Sequence, residues 1–250
     1  MPRAFAVSDL HGCKSLYDQI NAFIEPDDIV YCLGDCNDRG PNPWELVKLI
    51  RANPQWIYIK GNHEQLLEDW AWSYLVNNEY DDIDAWRLQR NGGVSTIEDF
   101  LADEARSNDK EFIAGWVKYL AELPHVATYE SAKGTIYMSH SGHIDYRPHL
   151  NRESKKRLLL WDREHFRNMW DNSQEQYDYV IHGHTPIPYA MEEVNGVYPE
   201  VWVPGVFWYC DDHKCCIDNA SFHSGFTCLL DLNTFDEHIF SMNMEENENG

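Results

Sequence analysis

The chain has 250 residues, 43% of them hydrophobic, with 42 Asp and Glu against 20 Lys and Arg and a formal net charge of −22. Length and apolar content suffice for one large core, while the charge argues against duplex DNA or RNA and against an anionic membrane surface, since each requires a basic face and the densest basic run is the short Lys155-Lys156-Arg157. No apolar run of 18 residues occurs, Met1-Pro2-Arg3 leads straight into a strand, and the odd set of seven cysteines reads as free thiols, so a cytoplasmic protein without signal peptide or membrane span is expected.

In chain order, the first strand is predicted over Ala4–Val7 and a helix over Lys14–Phe23, with Leu16, Ile20 and Phe23 at helical spacing. A second strand is expected at 28–33. The next helix runs over Pro43–Ala52, with Pro43 in its first turn and Asn53-Pro54 ending it. A third strand covers 56–59. Each of these strands runs into a polar cluster: Asp9-Leu10-His11, then Gly34-Asp35-Cys36-Asn37-Asp38-Arg39-Gly40, then Gly61-Asn62-His63-Glu64.

From 64 to 122 the pattern is helical, with segments near 64–76, 82–90, 93–105 and 109–122. Its aromatics, Trp70, Trp72, Tyr74, Trp86, Trp116 and Tyr119, read mainly as core; the alternative is a cap over the site with some rings lining a substrate groove. Beyond Pro124 strands return at 126–129, 135–138 and 179–181, and the stretch from about 189 to 241 reads as β-rich. The acidic end, 242–250, is expected to be disordered. Alternating strands and helices predict an α/β architecture in one catalytic domain over 1–241, with a helical insert near 66–124.

Asp9 and Asp35 are 26 residues apart, and Asp35 and Asn62 are 27 apart. That is one strand-loop-helix unit each time, so the three clusters are expected at one edge of a sheet. Ser139-His140-Ser141-Gly142 and His182-Gly183-His184-Thr185 also sit where a loop leaves a strand. Carboxylates, an amide and imidazoles gathered in this way suit a pair of divalent metals. Taken singly, each cluster is equally a turn.

Asp-x-His, Gly-Asp-x-x-Asp-Arg-Gly, Gly-Asn-His-Glu, His-x-Gly and Gly-His-Thr, in this order over residues 9–185, resemble the calcineurin-like metallophosphoesterases. Within them the likeness is greatest to the phosphoprotein phosphatases of bacteriophages and bacteria. Asn91-Gly92-Gly93, Leu159-Leu160-Trp161-Asp162-Arg163-Glu164 and Ile217-Asp218-Asn219-Ala220 extend it. The resemblance implies a β-sandwich flanked by helices. It also implies two metals, with Asp9 and His11 on the first, Asp35 bridging, and Asn62, His140 and His184 on the second. Mn²⁺ is the ion expected, with Fe or Zn as alternatives, and two such ions would offset about four of the negative charges. A hydroxide shared by metals roughly 3.5–4 Å apart would attack phosphorus directly.

By the same resemblance His63 is the acid that protonates the leaving oxygen, oriented by Asp38, which favours its protonated form. Arg39 and Asn62 contact the phosphate, and Arg163 is the candidate second clamp, with Arg157 and Arg167 as neighbours that could serve instead. The implied substrate is phosphoserine or phosphothreonine in proteins, or phosphotyrosine, handled by a monomer. The alternatives are symmetrical cleavage of dinucleoside polyphosphates and an inactive binding protein on the same fold. Pro186 stands where the wider superfamily often has a further histidine, which disfavours a cyclic-nucleotide phosphodiesterase. His182 is open between a supporting and a structural role. Cys210-x-x-His213-x-Cys215-Cys216 matches no familiar zinc spacing and reads rather as a solvent-facing hairpin with adventitious cysteines.

Overall fold

The computed structural model describes residues 2–77, 90–102, 109–143, 149–167 and 176–242. Two five-stranded mixed sheets face each other. In the first, β1 (Ala4–Val7), β2 (Ile29–Cys32) and β3 (Trp56–Tyr58) run parallel, and β9 (Phe226–Asp231) and β10 (Glu237–Ser241) are added antiparallel in the order β10-β9-β1-β2-β3. In the second, β5 (Gly134–Ser139), β6 (Tyr179–His182) and β8 (Lys214–Cys216) are parallel. They lie between antiparallel edge strands β4 (Val126–Ser131) and β7 (Phe207–Tyr209), in the order β4-β5-β6-β8-β7.

The period of two along each strand decides what goes where. Ala4 and Ala6 of β1, Tyr31 of β2, Ile136 and Met138 of β5, Ile181 of β6 and Cys215 of β8 point between the sheets and form the inner core. Phe5, Val7, Val30 and Cys32 point outward and are covered by helices. A strand buried on both faces reads as a continuous apolar run, which is why these strands stand out in the sequence.

Helices α1 (Lys14–Phe23) and α2 (Pro43–Ala52) pack on that outer face through Leu16, Ile20, Trp44, Val47 and Ile50. Helices α3 (Asn62–Asn77), α4 (Val94–Ala102) and α5 (Lys110–Glu122) continue the same core with Leu67, Trp70, Phe100, Trp116 and Leu120. Trp44 meets Phe100 and Trp116 at ring-centroid distances of 4.8 and 4.4 Å. Trp70 and Trp116 of the helical segment are therefore core, at roughly 1.5–3 kcal/mol or more per buried side chain, whereas Trp72 is exposed. Trp86, most of the helix expected near 82–90, and the acidic end lie outside the described residues.

Helix α6 (Arg152–Trp161) covers the second sheet through Leu159, which packs with Tyr137 and Val180. Asn151 caps it by accepting the Ser154 N–H at 2.8 Å. The stretch expected to be β-rich from 189 opens instead with helix α7 (Ile187–Asn195). Ile187, Ala190, Met191 and Val194 recur at helical spacing on the face that packs against Phe166 and Tyr209, and Gly196 ends the helix in the left-handed conformation (φ 76°). A four-residue helix, α8 (Ser221–Ser224), precedes β9. No helix among the described residues is long and apolar enough to cross a membrane.

The parallel strands of both sheets deliver their C-terminal ends to one edge of the sandwich. In open parallel sheets this edge is where ligands bind, and all five polar clusters succeed such ends.

Candidate active site

The chain turns sharply as it leaves each strand. Asp9 (φ 57°), His11 (42°), Asp35 (57°), Asp38 (69°), Arg39 (67°) and His184 (67°) all hold left-handed backbone conformations. For residues with a Cβ this costs on the order of 1–3 kcal/mol each, and such strain concentrates at functional sites. Hydrogen bonds between the loops hold them so. Asp9 N–H donates to Gly34 O (3.1 Å), His11 N–H to Asp35 O (2.9 Å), Gly12 N–H to Cys36 O (2.7 Å) and Gly183 N–H to His140 O (2.8 Å). The loops approach so closely that a Cβ on Gly61 would strike the Asp35 carboxylate, and one on Gly183 would strike Ser8 and the Asp9 carboxylate.

Glu64 ties two of these loops together. Its fully buried carboxylate accepts the backbone N–H groups of Asp35 (2.9 Å), Cys36 (2.9 Å) and Gly61 (2.8 Å), and the Tyr58 hydroxyl (2.5 Å). The last residue of Gly-Asn-His-Glu thus sets the backbone that carries Asp35.

Two groups of donors result. The ligand-type atoms of His11, Asp35 and His63 lie within 4.8 Å of one another, as do those of Asp35, His140 and His184. Asn62 joins the second group, its Oδ1 lying 2.8 Å from His140 Nε2 and 2.9 Å from His184 Nδ1. Asp9 falls in neither group but lines the same cavity, with one carboxylate oxygen accepting the Ser8 hydroxyl and the His184 N–H (3.0 Å).

These donors fit divalent ions. His140 Nδ1 donates to Leu33 O (2.7 Å) and His11 Nδ1 to Asn37 O (2.9 Å), which leaves each ring's Nε2 as an acceptor facing the site. His140 Nε2 then confronts the Asn62 oxygen, Asp35 Oδ1 at 3.4 Å and His184 Nδ1 at 3.1 Å. Two acceptors set 2.8 Å apart, His140 Nε2 and Asn62 Oδ1, suit a cation between them. Burial also opposes every charge in the metal-free site. It pushes His140 down to about 3 and His11 and His184 well below the usual imidazole range, so the rings stay neutral. Burial, and then their neighbouring acids, hold Asp9 and Asp35 well above the usual carboxylate range. A bound divalent cation supplies the charge that these carboxylates lack.

Beside the donors, His63 Nδ1 hydrogen-bonds Asp38 Oδ2 at 2.5 Å, and its Nε2 lies 3.2 Å from Arg39 Nη2. Arg39 Nη1 donates to His11 Nε2 at 2.8 Å. Arg39 is set from the helical segment, its N–H donating to Gly92 O (3.1 Å) and its Nε to Asn91 O (3.4 Å), which accounts for the Asn-Gly-Gly element. Of the three candidate arginines downstream, Arg163 lines the cavity and donates to Thr185 Oγ1 (3.2 Å). Arg157 lines a separate groove, and Arg167 is exposed and pairs with Glu193 at 2.9 Å.

The cavity has a volume of about 440 Å³. Asp9, His11, Asp35, Arg39, Asn62, His63, Arg163 and His184 line it, while His140 and Asp38, both fully buried, stand behind Asn62 and His63. Three contributors carry no role in the sequence reading: Glu64, Thr96 and Asp218. Asp218 lies just past β8 and lines the cavity, and burial raises its carboxyl to about 6. The strand-end logic that flags the other loops applies to it equally. His182 is buried away from the cavity, its Nε2 2.8 Å from the Tyr209 hydroxyl. The β7–β8 hairpin is not solvent-facing as expected, because β8 pairs with β6 inside the sheet and both its cysteines are fully buried: Cys215 points between the sheets, whereas Cys216 points to the opposite face and donates to Thr185 O (3.1 Å).

Solved structures share this fold. One is a candidate diadenosine tetraphosphatase (15% identity over 98% of this chain and 97% of that one, TM-score 0.55). Another is a protein serine/threonine phosphatase from Saccharomyces cerevisiae (15%, 93% and 73%, TM-score 0.52). A third is a cold-active protein-tyrosine phosphatase from a psychrophilic Shewanella species (13%, 97% and 81%, TM-score 0.51). No curated protein matches the sequence significantly. The model of the calcineurin-like phosphoesterases matches residues 2–197, and with the donor cluster this places the chain in that family of metal-dependent hydrolases.

Proposed function

We propose that the protein is a metal-dependent phosphomonoesterase that dephosphorylates phosphoserine and phosphothreonine in proteins, and phosphotyrosine as well. The observation that carries this reading is the Asp38–His63 pair beside two groups of metal donors, with Arg39 between them. Asp9, His11 and Asp35 would hold one ion, and Asp35, Asn62, His140 and His184 a second. The mixed oxygen and nitrogen set suits Mn²⁺, with Fe or Zn as alternatives. When bound, such ions act as Lewis acids that activate water and neutralise phosphate charge.

The chain's own residues do the rest. Arg39 and Arg163 bind the phosphate oxygens and hold phosphorus in position, and the fork of each guanidinium favours that geometry. Asp38 fixes His63 through Nδ1, so that Nε2 faces the leaving oxygen and delivers its proton. Mn²⁺-dependent release of phosphate from a phosphopeptide panel tests the proposal. Absence of hydrolysis of every peptide and of p-nitrophenyl phosphate, with metal bound, would refute it.

A second reading, hydrolysis of dinucleoside polyphosphates, is supported by Trp161 and Tyr189. Both rings line the cavity, are 42% and 54% exposed, and offer flat faces to a base. Diadenosine tetraphosphate belongs beside the phosphopeptides in the same assay.

A further inference from the structure

We infer that the edge of the sandwich opposite the catalytic cavity carries a second binding site, an aromatic pocket that takes a methylated ammonium group such as that of choline or trimethyllysine. The pocket has a volume of about 300 Å³, at the lower end of the roughly 300–1,000 Å³ usual for small-molecule sites. Tyr179, Trp208 and Phe235 line it, with Lys133, Asp211 and Asp212 beside them. None of these residues takes part in the catalytic site.

Topology brings the rings together from distant parts of the chain. Tyr179 opens β6, Phe235 lies in the turn between β9 and β10, and Lys133 lies in the turn before β5, all at the strand ends remote from the metal donors. Trp208 approaches from β7, beside the hairpin tip that leads into β8. Ring centroids are 4.9 Å apart for Trp208 and Phe235, 5.0 Å for Tyr179 and Phe235, and 6.1 Å for Tyr179 and Trp208. All three also pack against the core between the sheets. The turns that carry them are fixed. The Asp231 carboxylate accepts the N–H groups of Asn233 (2.7 Å) and Thr234 (3.2 Å) ahead of Phe235. His213 Nδ1 donates to Asp178 O (2.8 Å), and Val180 N–H donates to His213 O (2.9 Å), which ties the hairpin tip to the start of β6. A pocket held in this way needs little ordering when a ligand enters.

Lys133 shows what the pocket attracts. Its ammonium stands over the Phe235 ring, 4.9 Å from the centroid, within the range of a cation–π contact. Lys133 is exposed, and the volume remains with its side chain in place, so an incoming cation displaces one surface side chain and no core packing. A π face attracts positive charge but serves N–H groups poorly, so a cation with no N–H to satisfy matches the rings better than lysine does. Asp211 and Asp212, exposed at the rim, add negative charge, as does the chain's net −22. An anion would be repelled there, and a neutral apolar group would gain nothing from the carboxylates.

Calorimetric titration of the full chain with choline, with N-acetyl-trimethyllysine amide and with 3,3-dimethylbutanol, the neutral carbon isostere of choline, tests the site, sodium chloride serving as the ionic-strength control. Both ammonium ligands are expected to bind about tenfold more tightly than the isostere. Tighter binding of the trimethyllysine probe assigns the site to a side chain of another polypeptide, tighter binding of choline to a free metabolite or headgroup, and either order supports it. Trp208→Leu keeps an apolar side chain against the core but removes the indole face, and should weaken choline by roughly tenfold. The double variant Asp211→Asn, Asp212→Asn should weaken it by about two- to fivefold, and Lys133→Gln, which removes the competing ammonium, should tighten it by about as much. Thermal melting checks that each variant is folded; Lys133→Gln and the Asp pair, at exposed positions, decide the matter if Trp208→Leu is not. The inference is overturned if the isostere binds as tightly as choline, if no ligand exceeds the sodium chloride control, or if no folded variant changes the affinity. None of these measurements depends on hydrolysis, so the outcome is separate from that of the phosphatase reading.

Discussion

Thr96 holds Asp38 from two sides: its hydroxyl donates to Asp38 Oδ1 (2.5 Å) and accepts the Asp38 backbone N–H (2.9 Å). The two residues are 58 apart in the chain. Thr96 is fully buried on α4, so the helical segment reaches the site through the residue that sets the His63 partner. Thr96→Val keeps the volume but removes both bonds. It is expected to lower kcat by about 10- to 100-fold, as positioning losses do, with metal content unchanged and Thr96→Ser restoring most of the rate. Metal analysis beside steady-state kinetics checks this, and loss of metal in Thr96→Val would contradict it.

His63 and Asp35 should separate by what they lose. His63→Asn is expected to retain its metal and lose about two to four orders of magnitude in turnover. Asp35→Asn should instead lose metal. Elemental analysis of both proteins, with turnover of p-nitrophenyl phosphate, distinguishes the roles; a fully active His63→Asn would exclude the general-acid assignment.

Glu64 should matter first for stability. Removing its carboxylate leaves the N–H groups of Asp35, Cys36 and Gly61 buried without an acceptor. At about 1–3 kcal/mol for each unsatisfied group, Glu64→Ala is expected to cost roughly 3 kcal/mol or more. Urea denaturation of the chelated protein measures this directly, and an unchanged midpoint would show that water replaces the carboxylate.

Metal binding should strengthen with pH across the weakly acidic range. Burial raises Asp9 and Asp35 well above the usual carboxylate range, and Asp218 to about 6 against an ordinary 3.8, so at acidic pH an ion must displace protons from Asp9 and Asp35. The histidines do not compete there, because His140 is pushed down to about 3. For the chelated protein the two sets act in opposite directions. A raised carboxylate favours the folded state fully below its unfolded value, and that contribution is lost as pH rises through its folded value, about 6 for Asp218. The depressed His140 and His125 (about 4) favour it above 6.5, and that contribution is lost as pH falls. Melting scans with chelator and with Mn²⁺ should therefore show an ion-induced rise in Tm that is larger at pH 7.5 than at pH 5. An equal rise at both would point to a site without protonated carboxylates.

Residue order alone locates the parallel strands β1, β2, β3, β5 and β6 and the polar loops at their ends, but not β8 or Asp218 beyond it. Strands buried on both faces must be apolar throughout, as in Ala4–Val7 and Ile29–Cys32, and polar residues such as Asp9, Asp35 and Asn62 cannot be absorbed by such runs, so each marks a strand end. Helix α7 escapes detection because its apolar positions lie among Pro186, Pro188 and Tyr189, which read as turn and strand, and α6 because two of its turns are almost wholly polar. The residues that hold the site in place emerge only in the folded chain. Glu64 accepting backbone N–H groups across 28 and 29 residues, Thr96 gripping Asp38, and the Asn91 and Gly92 carbonyls holding Arg39 leave no periodic trace, because a hydrogen bond to backbone depends on how loops meet in space. The left-handed turns at Asp9, Asp35 and His184 belong to the same class: the strain exists only where packing over-determines it.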